Sequence, residues 1–255
     1  SLVLVAIAAI CEVSIPSTYV AKSGPVNLGC VFRMCWGARV PAAAPRRGRC
    51  ERANCGRLDG RSSKMAVMSI ILITGIQAAG KSTVAHALAE TIPNSVHVRG
   101  DLFRRMIVNG RADMGAAVPE PRALEQLRLR YEMAAEVADR YAQAGFTVVL
   151  QDVILGRALR DVVDHITTRP LSVVVLVPAP AVVAARDAER QQLRGKVAYK
   201  PGDEGIEVLD EYLRSATLRL GYWLDTSGLS VAETVADIRA HLETTARIGI
   251  DQEDA

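Results

Sequence analysis

Residues 69–90 read SIILITGIQAAGKSTVAHALAE, and this stretch limits what the chain can fold into more than any other. Residues 69–74 form a short run of mostly β-branched and aliphatic residues, the kind that becomes a strand buried on both faces of a parallel sheet. Gly75 to Ser82 then match the spacing G-x-x-x-x-G-K-[ST]. A helical segment over 81–91, ended by Pro93, follows. A strand, a glycine-bracketed loop and a helix in that order is the setting in which this spacing wraps a phosphate chain. Gly75 and Gly80 let the backbone turn tightly, so that the N–H groups through Ile76, Gln77, Ala78 and Ala79 point inward at phosphate oxygens. The N-terminus of the helix, at Ser82 and Thr83, adds partial positive charge. Lys81 is expected to reach the β- and γ-phosphates and the Ser82 hydroxyl to ligate a magnesium ion. The expected cofactors are therefore ATP and Mg²⁺.

The rest of the chain from Ser69 alternates between two periodicities. Strands are expected at 95–99, 146–152, 171–177 and within 220–227. Helices are expected at 101–109, 122–144, 156–167, 179–195, 204–219 and 230–246. On 122–144, Leu124, Leu127, Tyr131, Ala134, Ala135, Ala138 and Tyr141 recur on one face, and Gly145 is placed to end the helix. Regular alternation of this kind predicts an α/β fold, with a five-stranded parallel sheet between helices on both faces in a three-layer sandwich.

Charge and cysteine content divide the chain at about residue 64. Residues 1–64 carry ten Lys/Arg against three Asp/Glu, and residues 65–255 carry 21 against 25. The later part is mildly acidic, which argues against a dedicated nucleic-acid binder. All five cysteines lie before residue 64, so the main domain needs no disulfide and suits a reducing, cytoplasmic setting. Cys30/Cys35 and Cys50/Cys55 have a spacing compatible with zinc, but their Ala-, Pro- and Arg-rich surroundings show little core-forming pattern. The apolar opening, residues 1–10, is shorter than the ~20 residues that span a bilayer, and no basic segment precedes it. Residues 1–64 are therefore expected to be a disordered or weakly ordered extension, with a targeting peptide as the alternative. Residues 65–255 are expected to be the working domain, with no membrane partner and with a homo-oligomer left open.

A phosphate loop serves motors, switches and kinases alike. No Asn-Lys-x-Asp guanine-reading motif is present. Three other features favour group transfer. Asp152 ends the apolar run 146–150 as a second metal carboxylate would, although an ordinary helix cap reads the same way. Asp101 follows the second strand, on the rim where open parallel sheets bind ligands, and a carboxylate there takes the proton of an attacking hydroxyl. The bland reading of Asp101 is a cap for helix 101–109. Arg186, Arg190 and Arg194 are spaced four apart before a loop with two glycines and a proline, as in a basic lid that closes over a transferring phosphoryl group. A solvated face paired with Asp187 and Glu189 is the alternative. In this scheme Lys81, Asp101, Arg190 and Arg194 are catalytic, while Arg186 assists the nucleotide loop. Arg99, Arg104 and Arg105 offset the charge of Asp101, so that Arg104 and Arg105 are candidates to contact substrate.

The P-loop at 75–82, the VRGD ending at Asp101, the segment VVLQDVILG at 148–156, the lid arginines and the tail LDTSGLSVAETVADI at 224–238 together carry a resemblance. Over about 69–245 the chain resembles the small P-loop kinases of shikimate, gluconate and nucleosides, and within them it is similar to the chloramphenicol phosphotransferase-like group. That resemblance implies a kinase with an Arg-rich lid, with Asp101 as acceptor base and a small-molecule hydroxyl, such as one on an antibiotic, as acceptor. The region 103–121 departs from the group's pattern, so it leaves the substrate open. Kinases of UDP-sugars or other metabolites, and a nucleotide-dependent drug binder without transfer, are the rival readings. Met114, Ala116, Ala117 and Val118 are candidates to line an apolar acceptor pocket.

Overall fold

In a computed structural model, residues 69–112, 114, 120–195, 198–199 and 205–249 are described. The expected extension 1–64, with its cysteines, lies outside them, as do residues 116–118 of the suggested apolar pocket.

The sheet grows outward from β1 (Ile70–Thr74), which is buried at every position. Burying one such aliphatic side chain is worth about 1.5–3 kcal/mol, so this strand anchors the core. β1 pairs in parallel with β3 (Thr147–Gln151) on one side and β4 (Leu171–Leu176) on the other, Ile70 aligning with both Val148 and Leu171. β2 (Ser95–Arg99) adds beyond β3 and β5 (Tyr222–Leu224) beyond β4. The order is β2-β3-β1-β4-β5, all parallel. The connection from β1 runs to β2 on one side of the sheet and that from its neighbour β3 runs to β4 on the other, so the loop after β1 lies at the topological switch point where such sheets bind ligands.

Helix α1 (Lys81–Glu90) packs on β2 and β3 and against α7 (Val231–His241). Against β3 also lies α3 (Pro121–Gln143), with α2 (Asp101–Arg105) and α4 (Ala158–His165) beside it. Ala134, Ala135, Ala138 and Ala142 are all buried, and their small side chains let α3 lie close to the sheet. α5 (Pro180–Arg194) packs on α6 (Ile206–Ala216). At the start of α7, Ser230 and Glu233 form a reciprocal capping box.

Helix boundaries shift by up to five residues from the sequence expectation, and two shift most. The first is α2, which stops at Arg105, with Met106 as its C-cap, instead of at residue 109. The second is α7, which stops at His241 instead of 246. Residues 246–248 instead join β4: Val173 N donates to the Ala246 carbonyl at 2.8 Å and Ile248 N to the Leu171 carbonyl at 2.9 Å. They cover the part of β4 that the three-residue β5 leaves unpaired, and exposed strand edges are costly to leave open.

Candidate active site

The phosphate loop is shaped by contact as much as by its glycines. Gly75 has φ +142°, and a Cβ there would stand 2.5 Å from the Leu176 carbonyl oxygen, so the loop is pressed onto the end of β4. Gly80 and Ala78 are both left-handed, at φ +96° and +59°. For alanine that conformation costs about 1 kcal/mol or more, which the packing around the loop must offset. Beneath it, the Thr74 hydroxyl donates to the Ile154 carbonyl at 2.8 Å and accepts from Ile154 N at 2.9 Å. This ties the strand carrying the loop to the segment that follows Asp152.

Lys81 is buried, and its Nζ donates to the Ile76 carbonyl at 2.6 Å. Burial brings its pKa down from 10.5 to about 7; Arg130 and Arg190 add to the fall, and Asp101 works against it. The ammonium has lost water and found two cations nearby, a position suited to receiving an anion. Ser82 and Thr83 are exposed at the start of α1.

On the acceptor side, Asp101 opens α2 directly after β2 and Gly100. Arg105 Nη2 lies 2.7 Å from Asp101 Oδ2, and Arg99 Nε lies 3.6 Å from Oδ1. Oδ1 and Arg99 Nε are both buried and without a hydrogen-bond partner among the described residues. Arg104, on the same short helix, is half-buried. Asp152, at the end of β3, is bound edge-on by Arg130 of α3, whose Nε donates to Oδ2 at 2.7 Å and whose Nη2 donates to Oδ1; Oδ1 also accepts Val153 N at 2.7 Å. Nearby His97 is half-buried and packs at 5.9 Å from His86. Burial first, then Arg99, lowers its pKa to about 4, so it is neutral and serves packing, as its mid-strand position suggests.

The three arginines of α5 separate in role. Arg186 Nη1 donates to the Ala79 carbonyl at 3.2 Å, and Nη2 donates to the Thr226 carbonyl at 2.9 Å, joining the phosphate loop to the segment after β5. Arg190 pairs with Asp187, which also accepts the backbone N–H of Ala198 at 2.8 Å and of Tyr199 at 3.3 Å. The Tyr199 hydroxyl rests on the Gln77 carbonyl at 3.1 Å. Asp187 is therefore a buried tether between α5 and the following loop, not a solvated partner. Arg194 ends α5, and its side chain lies outside the described residues.

Thus Lys81, Asp101, Asp152, Arg186 and Arg190 gather on one rim. Sequence reasoning missed Arg130, Gly100, Thr226 and Tyr199. Arg130 left a readable signal: it sits between Leu127, Tyr131 and Ala134 on the apolar stripe of α3, where a cation has no place unless it is paired or used. Gly100 left none, because its need arises from the carboxylate of Asp152 across the sheet.

A phosphate loop at the switch point of a parallel β2-β3-β1-β4-β5 sheet, with carboxylates and arginines on the same rim, defines a P-loop kinase of small molecules. Residues 70–217 match the family described as an AAA domain, and the chain belongs to that family. An adenylyl-sulfate kinase of Paraburkholderia xenovorans LB400 is 32% identical over 188 residues, covering 71% of this chain and 96% of that protein. Among solved structures, a gluconokinase from Sinorhizobium meliloti 1021 is 21% identical, with a TM-score of 0.49 over 71% of this chain and 94% of that one. The tunicamycin resistance protein of Deinococcus radiodurans is 18% identical, with a TM-score of 0.48 over 71% and 99%. No helix among the described residues is long and apolar enough to cross a membrane.

Proposed function

We propose that this kinase transfers the γ-phosphoryl group of ATP to a hydroxyl of a small molecule. The observation that carries the reading is the Asp101 carboxylate, 30% exposed and flanked by Arg99 and Arg105, on the same rim as the phosphate-loop lysine whose charge it influences. A hydroxyl placed against the Asp101 carboxylate gives up its proton to it as the hydroxyl oxygen attacks the γ-phosphorus. The bond from that phosphorus to the bridging oxygen then breaks, and ADP leaves. Lys81, Arg190 and Arg194 offset charge on the transferring group. Residues 75–83 hold the phosphates, and Arg186 braces that loop from the Thr226 carbonyl.

Mg²⁺ would be held by Ser82 and by the nucleotide phosphates, and when bound it would neutralise phosphate charge. Among the described residues no group of three or more His, Cys, Asp or Glu side chains that could hold a metal ion exists. Ser82 fits, being exposed at the loop's end. Asp152 fits less directly, because Arg130 already binds both its oxygens.

Among acceptors, the arginines around Asp101 favour a hydroxyl compound that also carries negative charge over a neutral antibiotic. The 32% identical relative, named for adenylyl sulfate, is consistent with that preference. The test is to incubate the protein with ATP, Mg²⁺ and a panel of sugars, hydroxylated antibiotics, UDP-sugars and adenylyl sulfate, following mass and ADP release together. One acceptor gaining a single phosphoryl group in step with ADP supports the reading. Steady ATP hydrolysis with no acceptor gaining mass would replace it with a nucleotide-dependent binder.

A further inference from the structure

Asp187 is a carboxylate in the middle of α5, where no helix end needs capping, and its side chain is only 9% exposed. Three donors hold it. Arg190, one turn on, donates from Nη2; Ala198 N donates to Oδ1 at 2.8 Å and Tyr199 N to Oδ2 at 3.3 Å. One buried charge therefore joins an arginine of α5 to two consecutive backbone groups at 198–199. Tyr199 extends the connection. Its ring packs against the core, and its hydroxyl donates to the Gln77 carbonyl of the phosphate loop, 122 residues away, at 3.1 Å. Burial, followed by Asp187, raises the pKa of Tyr199, so the hydroxyl keeps the proton it donates.

Arg190 is held along one side only. Nη2 is fixed by Asp187, while Nε is buried and without a hydrogen-bond partner among the described residues. Its charge helps to lower the pKa of Lys81, so the guanidinium stands beside the phosphate loop. A long side chain with many rotamers needs a fixed partner if its fork is to keep one angle there. One turn earlier, Arg186 donates to the Ala79 carbonyl at 3.2 Å. The phosphate loop is thus gripped on either side of Ala78, by Tyr199 at Gln77 and by Arg186 at Ala79. Asp187, next to Arg186 in sequence and bonded to Tyr199, connects the two grips. A tether that served stability alone would need neither the arginine on the carboxylate nor the bond to the phosphate loop.

The geometry points to Asp187 and Tyr199 as positioning residues: Asp187 sets the angle of Arg190, and Tyr199 registers the Asp187–Arg190 pair against the phosphate loop, so that the guanidinium meets the terminal phosphoryl group of the bound nucleoside triphosphate. The inference rests on the kinase reading above and adds to it the residues through which Arg190 works.

The probes are Mg·ADP and the magnesium complex of a non-hydrolysable ATP analogue, titrated separately into the full-length protein. The ratio of the ADP dissociation constant to that of the analogue measures what the γ group adds to binding, and it needs no acceptor. Arg190→Ala should lower this ratio about tenfold, the size expected for a charge-assisted hydrogen bond. Asp187→Asn should reproduce most of that loss, and Tyr199→Phe, which keeps the ring, should lower the ratio about threefold. In the Arg190→Ala background neither substitution should lower it further, because each acts through an arginine that is no longer there. A purely structural role would shift both dissociation constants together, or act equally in the two backgrounds. A wild-type ratio in Arg190→Ala or in Tyr199→Phe, or the same loss with and without Arg190, overturns the inference and leaves the kinase reading standing. Should Asp187→Asn fail to fold, the cycle of Tyr199→Phe with Arg190→Ala decides by itself. A wild type that binds neither nucleotide removes the kinase reading, and this inference with it.

Discussion

Replacing Lys81 with methionine should make the nucleotide-free protein more stable, even though it abolishes transfer. Lys81 is buried with its pKa at about 7 instead of 10.5, burial being the main cause and Arg130 and Arg190 the next. In the unfolded chain the amine takes its proton near pH 10.5; in the folded protein it does so only near pH 7. Between those values the unfolded state binds more protons, so wild-type stability should rise with pH across this window. The full difference corresponds to about 5 kcal/mol, and at pH 7 most of it, about 4 kcal/mol, is still present. Methionine fills the same space without a charge, but it forfeits the 2.6 Å bond to the Ile76 carbonyl, a loss of about 1–2 kcal/mol. The net expectation at pH 7 is a stabilisation of about 2–3 kcal/mol, or roughly 5–10 °C in Tm for a domain of this size. Thermal unfolding of both proteins at pH 6.5 and 9.5 checks this: the variant should lead at the lower pH and the gap should narrow at the higher. The same logic requires nucleotide binding at pH 8 to take up about one proton, because phosphate oxygens restore the ammonium. Calorimetry in buffers of different ionisation enthalpy reads that proton. No lead at pH 6.5, together with no proton uptake, would refute the reasoning.

Arg186→Ala should weaken ATP binding about tenfold or more with little change in acceptor KM, since Arg186 bridges the Ala79 and Thr226 carbonyls beside the phosphate loop; a titration with an ATP analogue decides. Gly100→Ala should destabilise the fold by about 2–4 kcal/mol and lower turnover, because its Cβ would overlap Asp152; denaturant unfolding measures the first effect. Asp139→Asn should cost about 1–3 kcal/mol. Burial alone would raise this carboxyl's pKa, but the bonds from Thr167 and Thr168 outweigh it and hold the pKa below its ordinary value. Its contribution is therefore present above about pH 4 and lost as pH falls through the lower folded value, so the gap between variant and wild type should shrink in acid.

The buried strands were readable because parallel strands covered on both faces are continuous β-branched runs, as in ILIT and VVVL. The phosphate loop was readable because its function is performed by backbone geometry that only glycines at fixed spacing permit. Asp101 could be placed from the switch-point rule alone. What could not be read were relations across the sheet. The bond from Arg130 to Asp152 joins residues 22 apart on different elements. The need for Gly100 comes from a neighbouring strand, and the role of Asp187 comes from a loop folded back over α5. The helix expected to continue to residue 246 ends at His241 because β4 had an unpaired edge to satisfy, which no local propensity encodes.

The account turns on Asp101 as the group that receives the hydroxyl proton. Single-turnover transfer from Mg·ATP to an acceptor found in the mass screen, comparing wild type with Asp101→Asn, tests it most directly. Asparagine keeps the size and loses the proton-accepting charge, so the rate of the chemical step should fall by a factor of about 10²–10⁴ while the ATP dissociation constant stays the same. Transfer by Asp101→Asn at the wild-type rate would contradict the assignment and place the proton acceptor elsewhere on the rim.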